Sequence, residues 1–453
     1  MSRHTLPARV GPREVLGLAW PVIVSMLSFT LMAAADAVFV GWLGTASLAA
    51  IGIASTALFL VRSFGVGLLS GVRIVVAQRV GAGSHGVATR AGWQALWVVG
   101  ALSLASWALL PFASILLVAL GAEGALLAEA SAYLQPRLLA APVSFGLFGL
   151  TAWFQGRGDT RTPMVANVLA NLLNIALDPM LIFGFGPLPA MGMAGAAWAS
   201  NLGEAVGFAF LLARFVREGV AVSARPHRAV LLAVARLGAP LGVQGLLQMG
   251  SFAVFVAVLA RAGEAHLAAH VVVIRIVLLS FLPGLGVANA TGVLVGQATG
   301  ARRPAIAAQA VRAGLSLAVG AMAVFALLFV AVPGVFIAPF DPAPEVRALV
   351  AQLLLIAAAF QVLDALMVVL FHSLSAVGDT RFVTRVSVLA AWFVKLPLGT
   401  ALALPLGLGA VGAWLGLTAE IVLLALVFAA RARALGLFAA VEPADGPEPA
   451  AAR

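Results

Sequence analysis

Apolar runs of twenty or more residues recur along this chain from Leu16 to about Ala430, and no other feature constrains its fold as strongly. A helix crossing a bilayer needs roughly 20 mostly apolar residues. Of the 453 residues 62% are hydrophobic and 10% charged, with a mean hydropathy of +1.09, more apolar surface than a water-soluble core can hide. Runs such as Leu349 to Ala359 are apolar on nearly every face, whereas a membrane barrel alternates apolar and polar residues. The expected elements are therefore transmembrane helices. There is no cysteine, which removes disulfides, thiolate nucleophiles and cysteine metal sites. Arg3, Arg9 and Arg13 precede the first run without a short apolar core and cleavage site, so that run is expected to stay in the membrane.

Twelve spans are expected, near residues 16–40, 48–72, 91–119, 126–153, 163–184, 191–215, 231–260, 267–294, 309–337, 347–374, 383–404 and 409–430. The net charge of +10 is sorted by loop. Arg73, Arg79, Arg90, Arg157, Arg161, Arg217, Arg225, Arg228, Arg302, Arg303, Arg381 and Arg385 all fall on the side shared by the two termini. The opposite loops offer little beyond Arg261 and Arg347. By the positive-inside rule the arginine-rich side and both termini are expected to be cytoplasmic, and the basic residues report topology, not nucleic acid.

The chain repeats itself. Gly158-Asp159-Thr160-Arg161 follows span 4, and Gly378-Asp379-Thr380-Arg381 follows span 10. Val76 to Gly81 pairs with Val295 to Gly300 through the shared Val, Gln and final Gly. Pro21 pairs with Pro240, Leu48-Ala49-Ala50 with Leu267-Ala268-Ala269, and Trp198 through Glu204 with Trp414 through Glu420. The expected architecture is all-α: two pseudo-symmetric six-helix lobes around a central cavity. Its divisions are an N-terminal segment (1–13), an N-lobe (14–216), a linker (217–230), a C-lobe (231–433) and a disordered tail (434–453).

An ionised group inside the hydrocarbon costs several kcal/mol, so acids within spans need partners or a task. Glu204 and Glu420 occupy equivalent positions, which predicts an architectural carboxyl bonded across helices. Asp36 and Asp178 have the apolar counterparts Phe255 and Leu398, so they mark something one half has and the other lacks. Asn174 lies four residues before Asp178 and shares its helical face, with Asn171 one turn earlier. Two carboxylates with an amide oxygen suit a bound Na+ or a proton, and no other metal site is expected. Pro21, Pro142 and Pro240 are expected to kink their spans.

Trp153 to Pro163 (WFQGRGDTRTP) resembles the connection after span 4 in the multidrug and toxic compound extrusion (MATE) transporters, as does Leu370 to Arg381 after span 10. Asp36 with Asn174 and Asp178 resembles the branch that includes the DNA-damage-inducible protein F transporters. The resemblance covers essentially the whole chain. It implies a non-enzymatic antiporter of the inner (plasma) membrane, monomeric and without a cofactor. Such a protein exports amphipathic, often cationic solutes by alternating access, driven by inward H+ or Na+ flow. It places Asp36, Asn174, Asp178 and Ser200 in an N-lobe cation site. Asp364 resembles an acid of another branch, in which a span 7 glutamate would stand where this chain has Gln248. Asp364, Gln248 and Lys395 are thus candidates for a second charge or substrate site, with Asp364 expected to pair with Lys395 or to neutralise a cationic solute. A flippase for lipid-linked precursors is the alternative, and it would line its cavity with several basic residues. An intramembrane hydrolase has only the spacing of His266 and His270 in its favour.

Overall fold

The computed structural model describes residues 6–186, 189–218 and 224–438. Most of the expected tail and part of the expected linker and N-terminal segment fall outside these residues. Among them lie eleven helices long and apolar enough to cross a membrane, or twelve with one bent pair counted as a span. Spans 1 to 6 are Pro12–Gly41, Thr45–Gly81, His85–Ala119, the pair Gly124–Leu139 and Ala141–Gly156, Arg161–Phe183 and Gly192–Arg217. Spans 7 to 12 are Arg228–Ala262, Glu264–Gly300, Pro304–Ala331, Pro344–Ala376, Thr380–Ala403 and Gly409–Ala434. Large apolar side chains such as Leu104, Leu172, Leu327 and Leu426 point outward, as lipid-facing surface requires.

The breaks in these helices follow from proline and its missing N–H. Span 4 bends by 55° at Ala140, and Pro142 opens its second segment. The expected ninth span stops at Ala331, because Val332 leaves helical geometry ahead of Pro333. Span 11 widens into one π turn over Ala391–Lys395, just ahead of Pro397. Without an N–H on Pro397 the Phe393 carbonyl loses its usual partner, and just ahead of it the Leu396 N–H reaches back to the Ala391 carbonyl with wider spacing. Pro21 and Pro240, in contrast, sit inside helices assigned as continuous.

The lobes are joined at the arginine-rich end by contacts that obey the pseudo-two-fold symmetry. Val10, ahead of span 1, and Val15 and Ala19 within it pack into a core with C-lobe residues such as Leu294 and Val311. Val230 and Val234 of span 7 pack into an N-lobe core with Val76 and Ala91. The backbone N–H of Val10 donates to Gln309 Oε1 at 2.9 Å, and that of His227 donates to Gln94 Oε1 at 2.9 Å. Gln78 Nε2 donates to the Ala376 carbonyl at 2.7 Å, while Gln297 Nε2 donates to the Gly156 carbonyl at 3.2 Å.

Two glycines make that closure feasible. A Cβ on Gly81 would lie 1.8 Å from the Gln297 carbonyl oxygen, and one on Gly300 would lie 1.8 Å from that of Gln78. The Gln and Gly shared by the two sequence windows are therefore the residues at which span 2 and span 8 cross.

The matching Gly-Asp-Thr-Arg loops share a backbone and differ in their bonds. Gly158 and Gly378 both take positive φ, +86° and +102°, which favours glycine. Asp159 accepts from the backbone N–H and hydroxyl of Thr162 at the start of span 5. Asp379 instead accepts from Arg431 Nε at 2.7 Å, tying the end of span 12 to the loop.

Candidate functional site

Asp36 in span 1, Asn174 and Asp178 in span 5 and Ser200 in span 6 are all buried. Asn174 Nδ2 donates to Ser200 Oγ at 3.2 Å and approaches Asp178 Oδ1 at 3.5 Å. The Asp36 carboxyl lies beside Asp178 and Asn174. Close helix packing brings these residues together: at Gly203 a Cβ would meet the Ala170 carbonyl at 2.4 Å, so span 6 lies directly against span 5. Three oxygens of the cluster, Asp36 Oδ1, Asn174 Oδ1 and Asp178 Oδ2, are buried without a hydrogen-bond partner. Buried acceptors of this kind cost about 1–3 kcal/mol each when nothing satisfies them. They fit a cation or a proton. Asn171 extends the polar face toward span 1, donating to Ser28 Oγ at 2.6 Å.

An ionic network stands beside this cluster. Arg137 from span 4 donates to Glu204 Oε1 at 2.6 Å and to Asn201 Oδ1 at 2.7 Å. Arg62 of span 2 reaches Glu204 at 3.5 Å and donates to Ser144 Oγ at 2.6 Å, and Ser144 donates to Glu204 in turn. Two guanidiniums share one carboxylate, which leaves a surplus of one positive charge close to Asp36.

The C-lobe solves the same burial differently. Lys395 Nζ pairs with Glu420 Oε2 at 3.2 Å, both side chains 3% exposed, and Gln248 Nε2 approaches Glu420 Oε1 at 3.4 Å. The expected pairing of Lys395 with Asp364 is therefore corrected. The π turn ending at Lys395 places it against span 12, where it meets Glu420. Asp364 is buried near Glu420 with no hydrogen bond or ion pair to another described residue.

Between the lobes lies a cavity of about 500 Å³, running from Ser55 and Phe59 to Ala77 and Ala376 just above the Gln78 contact. Spans 2, 4, 7, 8 and 10 line it, and Gln248 is the one candidate site residue on its wall. A smaller chamber of about 310 Å³ enters the N-lobe between spans 1, 2, 4, 5, 8 and 10.

The MatE family profile matches residues 21–180 and again 240–400, one stretch in each half. The chain belongs to the MATE family. Among MATE relatives, it is 35% identical to a probable multidrug resistance protein NorM of Deinococcus radiodurans, over 92% of this chain and 94% of that one. A probable multidrug resistance protein NorM of Pseudomonas aeruginosa is 32% identical over 91% and 87%. A multidrug resistance MATE family transporter solved in an outward-facing conformation superposes with a TM-score of 0.86. It is 25% identical and covers 94% of this chain and 96% of its own. As a MATE protein the chain is a membrane transporter, not an enzyme.

Within this MATE fold the four N-lobe candidates come together, while Asp364, Gln248 and Lys395 gather around Glu420. The sequence offered no partner for Arg137 and Arg62, which the structure brings to Glu204. The available signal was Glu204, an acid that required a cation within reach. His266 and His270 form no joint site: His266 Nδ1 accepts from the Ala410 N–H at 3.2 Å, and His270 packs among Phe255, Phe252 and Trp414. No cluster of three or more metal-ligating side chains occurs among the described residues.

Proposed function

We propose that this MATE protein is a monomeric antiporter of the inner membrane, with both termini cytoplasmic. It exports amphipathic drugs or toxic compounds against inward flow of H+ or Na+ through Asp36, Asn174, Asp178 and Ser200. The observation that carries this reading is the set of three unpartnered buried oxygens on spans 1 and 5. Na+ can meet all three and a proton shared by the two carboxyls meets two, and the departure of either leaves two carboxylates facing each other. The ion thus has unequal free energy in lobe arrangements that hold the spans together or let them part, which is what coupling requires. The closed arginine-rich end supports an outward-facing state, with the cavity emptied away from the cytoplasm. A lipid-linked precursor flippase has less support: the cavity wall carries two arginines, one of them partly offset by the Glu204 it shares with Arg137, where a pyrophosphate asks for several unpaired cations.

The test is efflux of a fluorescent amphiphile from proteoliposomes under an imposed pH gradient or Na+ gradient, one at a time. Asp36→Asn and Asp178→Asn should each reduce gradient-driven efflux to the rate seen without a gradient. Undiminished gradient-driven efflux in both variants would sink the proposal.

A further inference from the structure

The central cavity carries the opposite charge to the N-lobe site. Its charged lining residues are Arg62 and Arg73, with no aspartate or glutamate on the wall. Arg62 has a counterion in Glu204. Arg73 has none: Nη1 donates to Asn289 Oδ1, and no other hydrogen bond or ion pair joins its guanidinium to a described residue. It stands where the central cavity meets the N-lobe chamber and lines both. A guanidinium offers five donors in a planar fork that matches a carboxylate, sulfonate or phosphate edge. Half-buried between the lobes with only a neutral amide as partner, it is stabilised by water or by an anion brought in from outside.

Apart from serines, Gln244, Gln248 and His372, the rest of the wall is apolar. Leu58, Phe59, Phe148, Leu241, Met249 and Phe371 offer a surface for a hydrophobic body, and the volume lies in the range of sites for small organic ligands. An organic cation placed there would meet two guanidiniums and no anion on the wall.

We infer that the central cavity selects amphipathic solutes with a negatively charged head, carboxylate, sulfonate or phosphate monoester, docked on Arg73. The hydrophobic body rests on the phenylalanines of spans 2, 4 and 10. This deepens the export reading and depends on it for calling the ligand a transported solute. The binding preference itself is separate, because it exists without any gradient.

The test uses two probes with one fluorophore and opposite charge, 6-(dansylamino)hexanoate and dansylcadaverine. They are titrated onto the purified protein in phosphatidylcholine nanodiscs, with empty nanodiscs subtracted. Wild type should bind the carboxylate probe about tenfold more tightly than the amine, on the order of one charge-assisted hydrogen bond. Arg73→Gln should remove that preference by weakening the carboxylate probe alone, and Arg73→Lys should keep part of it. A merely structural role for Arg73 would weaken both probes together. Equal or tighter binding of the amine by wild type overturns the inference, as does an Arg73→Gln variant that still prefers the carboxylate. If Arg73→Gln does not fold, the wild-type comparison and Arg73→Lys decide. Repeating the titration with phosphatidylglycerol in the nanodisc separates sources of the anion. Competition points to a lipid head group on Arg73 and no competition to a free solute, and both keep the anion there. The preference is read with no gradient imposed and coupling only with one, so loss of anion selection and loss of gradient coupling are distinguishable failures.

Discussion

Replacing Gly81 and Gly300 together by alanine puts two methyl groups where spans 2 and 8 cross. Each new Cβ would stand 1.8 Å from a backbone carbonyl oxygen of the opposite lobe. Ordinary contact begins near 3.4 Å, so the helices must part by roughly 1.6 Å at both points. The obstructing atoms are backbone, so no side-chain rotation relieves them. Separation also strains the bonds from Gln78 to Ala376 and from Gln297 to Gly156. Each is worth about 0.5–1.5 kcal/mol, so losing the pair shifts the closed state by about 1–3 kcal/mol, or about 5- to 150-fold in population. Overpacking adds to that. The helices themselves should not suffer, because alanine is the better helix former. The chain has no cysteine, so Ala82→Cys and Ala305→Cys, exposed positions on opposite lobes at this end, accept spin labels without other changes. Double electron–electron resonance should show a longer and broader distance distribution in the Gly81→Ala, Gly300→Ala variant than in the parent. An unchanged distribution would refute the claim that the glycine crossing holds this end shut.

Two further outcomes concern stability and packing. Glu204→Gln strands Arg62 and Arg137, and Glu420→Gln strands Lys395, so each should cost about 3–5 kcal/mol and lower the apparent melting temperature by tryptophan fluorescence. Lys395→Met with Glu420→Leu, which removes both charges, should melt above Glu420→Gln alone, and a lower melting point would contradict the pairing. Gly238→Val places a Cβ 2.0 Å from the Leu68 carbonyl at the contact of spans 2 and 7, which should cost about 1–3 kcal/mol, read in the same melt. A melt like the parent's would show that this contact is looser than described.

What could be read from the sequence and what could not divide along physical lines. Span number and the two halves followed from length, hydropathy and repetition, because a bilayer imposes them locally. Asp36 and Asp178 stood out because burying an acid in lipid is costly and their counterparts in the other half are apolar, Asn174 joined them by its i, i+4 spacing, and the grouping of all three with Ser200 came from the resemblance to the MATE transporters. Partner choice was not legible. Glu204 and Glu420 are equivalent, yet one meets two arginines from spans 2 and 4 and the other a lysine from span 11. Those cations sit at unrelated positions in the repeat, so symmetry could not assign them. Lys395 reached Glu420 rather than Asp364 through a π turn that no periodicity announced. The Gln78 and Gln297 windows were visible as a loose match, but their meaning depends on the crossing of two spans more than two hundred residues apart. Arg73 looked like one of many topological arginines until the cavity wall around it was known.

Antiport requires that solute and ion disfavour each other's binding, and linkage makes that reciprocal. The most direct measurement is therefore ion release from the purified protein on solute binding. It is followed with a pH indicator in weak buffer and with a sodium electrode. Wild type should release H+ or Na+ as the solute saturates, and the Asp36→Asn, Asp178→Asn double variant should bind solute and release neither. Undiminished release from the double variant would contradict the placement of the coupling ion between spans 1 and 5.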